Sequence, residues 1–280
     1  MPDKTAVVWT RATGEPRKLG VLELADDCLR FTYAPDTVDL PGISFLHDVP
    51  DIGSVAQTWE VTEGNPLPQM FQALVPPRDP SNLQRRLLTR VLGREGRPPT
   101  AEDLDWELLL LGGRNGIGHL VVFRDDSSGS DWYRRDRQPL VVDLSNSPLW
   151  HLVYEVALPA PNPATLDALV DTVGVRPTVG GAMPKILLSI TPPGFDEVVE
   201  ALLKIQGHEY EDVLLLEVVG YRMCERVGLP TPRRWLTQSD GATVLATERF
   251  DRALRPSGWP AGAHGEPVLG DVRGNWWRGL

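Results

Sequence analysis

Four groups of residues in the second half of the chain have the types and spacing to handle a phosphorylated ligand. Thr178-Val-Gly-Gly-Ala-Met-Pro-Lys185 is a glycine turn that ends in a lysine. Such a turn lets main-chain N–H groups approach phosphate oxygens closely. Lys204 lies in Val199–Ile205, whose alternation predicts a strand with Glu200, Leu202 and Lys204 on one face and Ala201, Leu203 and Ile205 on the other. Glu217 sits midway along an amphipathic segment, 211–226, with Leu214 three residues before it and Tyr221 four after. That places a carboxylate beside an apolar helix face, where it could pin a lysine. Glu248 and Arg249 close an apolar run, 243–250, that follows Ser239-Asp240-Gly241.

The elements that must position these groups follow from the pattern. Strands are predicted at 186–190, 199–205, 234–238 and 243–250, the last two as a hairpin, because Asp-Gly between apolar runs favours a tight turn. The helix over 211–226 is stopped by Gly228-Leu-Pro230. Each feature alone also has a plain structural reading: a turn, a solvated strand lysine, a helix carboxylate at a core edge. The order is what carries meaning. Glycine turn, strand, lysine strand, carboxylate helix and hairpin follow one another as in the small lobe of a protein kinase.

Upstream, 5–9, 19–24 and 29–33 read as strands and Pro35–Pro50 as loop. Helical spacing appears over 83–92, and a second helix is predicted from Thr100 through Trp106 to Gly112-Gly113. The glycine cluster Gly112-Gly-Arg-Asn-Gly-Ile-Gly118 does not suit a dinucleotide loop. Here a helix precedes the glycines and a strand, 119–123, follows them, the reverse of what that fingerprint needs. A helix C-cap plus turn is the expectation. Residues 124–149 are polar and turn-rich and read as a surface excursion, with Arg134, Arg135 and Arg137 solvated. A short helical stretch is expected at 166–170.

Composition narrows the remaining classes. The 28 Lys and Arg against 38 Asp and Glu give a formal charge of −10, which argues against a surface built to neutralise a nucleic-acid backbone. Cys28 and Cys224 stand far apart, and no two of the five histidines are spaced four residues apart, so neither a disulfide framework nor a structural zinc site is expected. The N-terminus lacks an apolar signal core, and the Leu108–Leu111 run is far too short to span a bilayer. The expectation is a cytoplasmic protein that makes no membrane contact.

The same residues resemble the HipA family, the kinase toxins of toxin–antitoxin modules. The resemblance rests on Gly112–Gly118 with the strand after it, TVGGAMPKILL, ALLKI, the helix LLLEVVGYRMCERVGLPTP and, most specifically, ATERFDR at Ala246–Arg252. It implies an α+β chain: a HipA-like N-terminal subdomain over 1–123, a polar linker over 124–165, and a kinase-like ATP-binding small lobe over 166–252. An irregular tail, 253–280, follows.

Carried over position by position, the resemblance implies that Gly180, Gly181, Ala182, Met183, Pro184 and Lys185 form the loop over the ATP phosphates. Lys204 is implied as the phosphate-anchoring lysine, Glu217 as its partner, and Glu248, Arg249 and Phe250 as the hinge that holds adenine. Thr178 stands where family members often carry an autophosphorylated serine. The implied partner is a HipB-like helix-turn-helix antitoxin, with DNA reached only through it.

The family's catalytic Asp and its Mg²⁺-holding residues belong to a helical large lobe with an Asp-x-His-x-x-Asn stretch. Residues 253–280 contain none, and His264 is flanked by Ala and Gly. The expectation is therefore a serine/threonine kinase truncated before that lobe and inactive alone, with no catalytic residue in this chain. The tail carries Trp259, Trp276 and Trp277 without apolar periodicity. Reverse translation of Ala263–Leu269, shifted by one base, permits His-Met-Glu-Ser-Leu-Cys, close to a stretch that follows the family's Arg-Phe-Asp-Arg; a changed reading frame is thus one expectation for it. Two alternatives stand beside the kinase: a non-catalytic module that binds nucleotide or antitoxin, and an unrelated α+β domain.

Overall fold

Alternating apolar residues near the N-terminus build a five-stranded sheet from β1 (Lys4–Thr10), β2 (Arg17–Ala25), β3 (Cys28–Tyr33), β4 (Ala56–Glu60) and β5 (Leu120–Phe123). The computed structural model describes residues 4–10, 16–35, 37–44, 56–62, 67–79, 82–96, 100, 103–114, 116, 118–135, 141–144, 149–156, 162–173, 183, 185–206, 212–239 and 242–249. The first sheet has the order β4-β3-β2-β1-β5, and every neighbouring pair is antiparallel. Ala6, Leu22 and Phe31 stand opposite one another across three strands and are fully buried. Gly20 is required beside them, because a Cβ there would lie 2.4 Å from the Phe31 ring and 2.3 Å from the Thr32 carbonyl.

The other face of that sheet carries Val7, Trp9, Val21, Val121 and Phe123, on which α4 (Asp126–Arg135) lays Trp132 and Tyr133. Gly129 of α4 permits the close approach: a Cβ would come within 3.1 Å of Phe123 and 3.2 Å of Trp9. Asp125 caps the helix, its Oδ1 accepting the Ser128 N–H and the Ser127 hydroxyl, both at 2.7 Å. These hydrogen bonds hold the Asp125 carboxyl down at about 2.

A second compact unit comprises residues 61–117 and 134–249. It holds α1 (Gln69–Gln72), α2 (Leu83–Arg94), α3 (Leu104–Gly112), β6 (Val141–Asp143), α5 (Leu149–Val156), α6 (Pro163–Val173), β7 (Lys185–Thr191), β8 (Val199–Gln206), α7 (Val213–Arg226), β9 (Arg234–Ser239) and β10 (Ala242–Glu248). Its sheet order is β6-β7-β8-β10-β9; β6 pairs with β7 in parallel and the other pairs are antiparallel.

One face of this sheet is apolar. Ile186, Leu188, Ala201, Leu203, Ile205, Val244 and Ala246 form a single core with Leu83 and Leu87 of α2, Trp150 and Val153 of α5, and Leu169 of α6. Trp150 is fully buried and donates its indole N–H to the Leu144 carbonyl at 3.2 Å. Arg90 forks onto Asp167 at 2.7 and 2.6 Å and Arg94 reaches Asp171 at 2.7 Å, tying α2 to α6. The buried Asp105 carboxylate takes Arg78 and Arg85, each at 2.7 Å.

The segment 124–165 contains regular elements. It supplies α4, β6 and α5, because Trp132, Tyr133, Leu149, Trp150 and Val153 give it apolar surface that the two sheets cover. α2, β6 and α5 contribute to the core of the second sheet together with elements after residue 166. The helix expected from Thr100 starts at Leu104; the Thr100 hydroxyl and Asp103 hydrogen-bond to each other ahead of it. α3 does end at Gly112, capped by Gly113, whose N–H returns to the Leu109 carbonyl. Among the described residues, no helix is long and apolar enough to cross a membrane.

Candidate functional site

The alternation of β8 decides what its polar face meets. Ala201, Leu203 and Ile205 go to the core, so Lys204 projects from the opposite face, where α7 lies. Leu214 is the fully buried anchor of α7. One turn later, the Glu217 carboxylate receives the Lys204 ammonium at 2.5 Å. The pair is partly exposed, at 19% for the lysine and 24% for the glutamate, so a ligand has access to the cation.

Lys185, the first residue of β7, stands directly opposite Lys204 in the antiparallel register. Burial, then repulsion from Lys204, pushes the Lys185 ammonium below its usual range, with Glu217 acting in the other direction. Two cations thus face each other beside one carboxylate. An anion placed there would relieve the repulsion.

The helix end of the site continues past Glu217. Burial, and then the Glu217 carboxylate as neighbouring charge and hydrogen-bond acceptor, holds the Tyr221 phenol above its usual range. The Arg234 guanidinium lies 5.0 Å from the Tyr221 ring centroid and forks onto Glu225 at 2.6 and 2.9 Å. Thr231 donates its hydroxyl to the same carboxylate at 2.7 Å. The Arg234 and Thr231 hydrogen bonds hold the Glu225 carboxyl down at about 2.

At the far end of β10, the Glu248 carboxylate is gripped by Arg233 at 2.7 and 2.9 Å, and Arg233 also pairs with Glu197. The Glu248 N–H donates to the Arg233 carbonyl and the Arg249 N–H to the Glu200 carbonyl, each at 2.9 Å. The Arg249 side chain is buried and donates from Nη2 to the Gly116 carbonyl at 2.6 Å. The main-chain donors of Glu248 and Arg249 are thus engaged inside the protein.

Of the residues singled out from the sequence, the structure brings Lys185, Lys204 and Glu217 together, places Glu248 and Arg249 at the strand end, and finds Met183 half-buried just before β7. Thr178, Gly180, Gly181, Ala182, Pro184 and Phe250 lie outside the described residues, as does the tail from 251 onward. Tyr221, Glu225, Arg233 and Arg234 were not singled out as site residues. Glu217, Tyr221 and Glu225 recur every four residues, which was the available signal.

The arrangement is a mixed α+β unit in which one helix presents a carboxylate to a lysine on the polar face of a sheet. Residues 178–264 match the family model of the HipA-like C-terminal domain. No curated protein matches the chain. Among the described residues, no group of three or more His, Cys, Asp or Glu side chains is placed to hold a metal ion.

Proposed function

We propose that residues 178–250 form the nucleotide-binding part of a HipA-type serine/threonine protein kinase toxin, with a HipB-like helix-turn-helix antitoxin as its partner. The observation that carries this reading is the Lys204–Glu217 pair at 2.5 Å between β8 and α7. Lysine held by a helix carboxylate is how kinases anchor the α- and β-phosphates of ATP. The strand order β7-β8-β10-β9, with the lysine on the second strand and the glutamate on the helix that follows it, supports the same reading.

In this reading Lys204 meets the phosphates, Glu217 keeps its ammonium aimed, and Lys185 adds a second cation. Glu248, Arg249 and Phe250 receive adenine. Thr178 is the position for self-phosphorylation. The residues placed here bind and orient a nucleotide; no base for a substrate hydroxyl and no metal ligand is assigned among them. In this reading the role of these residues is to hold ATP.

Calorimetry with Mg-ATP tests the binding. Lys204→Met is expected to weaken affinity at least tenfold, and an unchanged affinity removes Lys204 from the role. Incubation with labelled ATP, followed by mass spectrometry at Thr178, tests the rest. Phosphate on Thr178 that disappears in Lys204→Met would show that a catalytic group is present after all.

A further inference from the structure

We propose that Tyr221 and the Arg234–Glu225 pair are positioning residues for Lys204, setting nucleotide affinity from the far end of α7. The proposal rests on the nucleotide reading above. Glu217, Tyr221 and Glu225 lie on successive turns of α7, so they occupy one stripe of the helix. Each is engaged along that stripe. Glu217 takes Lys204 of β8 at 2.5 Å; Tyr221 lies under the Arg234 guanidinium at 5.0 Å; Glu225 receives both arms of Arg234, the first residue of β9, at 2.6 and 2.9 Å.

The rest of α7 has little else to hold it. Leu214 is its only buried side chain among those described, while Leu215, Leu216, Val219 and Met223 are exposed. Beyond Leu214 only Val218, Tyr221 and Cys224 offer partly buried apolar surface, so polar contacts to the sheet carry much of the hold on the later turns. A planar guanidinium suits this task, since it stacks on a ring and forks onto a carboxylate at once. Releasing Arg234 frees the C-terminal turns of α7 to lift. Glu217 then leaves Lys204, and the ammonium loses its aim at the phosphates.

Cys224 reads the helix position without any nucleotide. It is partly covered next to Glu225, whereas Cys28 is exposed. In a full-length Cys28→Ser background, labelling of Cys224 by an aromatic disulfide reagent should accelerate about tenfold in Arg234→Gln and less in Arg234→Lys. Mg-ATP affinity, measured by calorimetry, should fall about tenfold in Arg234→Gln, with Arg234→Lys retaining most of it. In a Glu217→Gln background, Arg234→Gln should cost nothing further, because its effect passes through Glu217. Unchanged Cys224 labelling, or losses that multiply in the double variant, would overturn the proposal. If the wild-type chain fails to bind Mg-ATP, the nucleotide reading fails by itself, and the labelling rate still decides whether Arg234 holds α7.

Discussion

The Arg249 guanidinium donates to the Gly116 carbonyl at 2.6 Å, joining the end of β10 to the turn after α3 across 133 positions of sequence. Both partners belong to the second unit. The bond makes the Gly116 carbonyl a support for the strand end.

Arg249→Met should therefore destabilise the protein by about 2–3 kcal/mol, since a charge-assisted bond is lost in a buried place. Urea unfolding measures it. A loss below about 0.5 kcal/mol would mean that the bond contributes nothing beyond what methionine packing restores.

Asp105 gives a second stability test. Its carboxylate is buried and serves Arg78 and Arg85 together, and Arg85 is itself largely covered. Removing Asp105 leaves Arg85, a largely covered cation, without its counter-charge, and breaking a buried pair in this way costs about 3–5 kcal/mol. Asp105→Ala should show a loss of that order. Asp105→Asn, which retains an acceptor, should lose less.

The pH dependence of stability should carry the mark of His119. Burial holds its imidazole down at about 4, and its Nδ1 lies 2.9 Å from the Thr10 hydroxyl oxygen. In the unfolded chain the ring titrates near 6.5. Between those values the unfolded state binds the proton and the folded state does not. The contribution of His119 is thus fully present above about pH 6.5 and is lost as the pH falls towards 4, at up to about 1.4 kcal/mol per pH unit. Urea midpoints at pH 7, 6 and 5 measure it. Replacing His119 with asparagine should flatten the slope; a slope unchanged by that replacement would contradict the assignment.

The strands and helix of the candidate site were legible because their apolar periods are clean. β7, β8, α7, β9 and β10 all fall within two residues of their expected limits, and Lys204 and Glu217, which the family resemblance paired, are in contact. Elements whose local sequence argues against them were not legible. α4 reads Asp-Ser-Ser-Gly-Ser-Asp-Trp-Tyr-Arg-Arg, poor in helix formers; it exists because Trp132 and Tyr133 find Phe123. β4 is a half-exposed strand at a sheet edge, and β6 has three residues. The Arg234–Glu225 and Arg249–Gly116 contacts join separate elements, for which no spacing rule exists.

The parallel strand β6 and the antiparallel strand β5 also bear on how this chain is made. Residues 118–133 belong with the first sheet, yet they interrupt the second unit, whose pieces lie on either side of them. During synthesis the first sheet cannot close until β5 has emerged to pair with β1. The apolar faces of α2 and α5 must wait longer still, for β8 and β10. At about 5–20 residues per second, the interval between α2 and β10 is on the order of ten seconds. For that time the ribosome carries an unburied half-core, which is a natural point of engagement for chaperones.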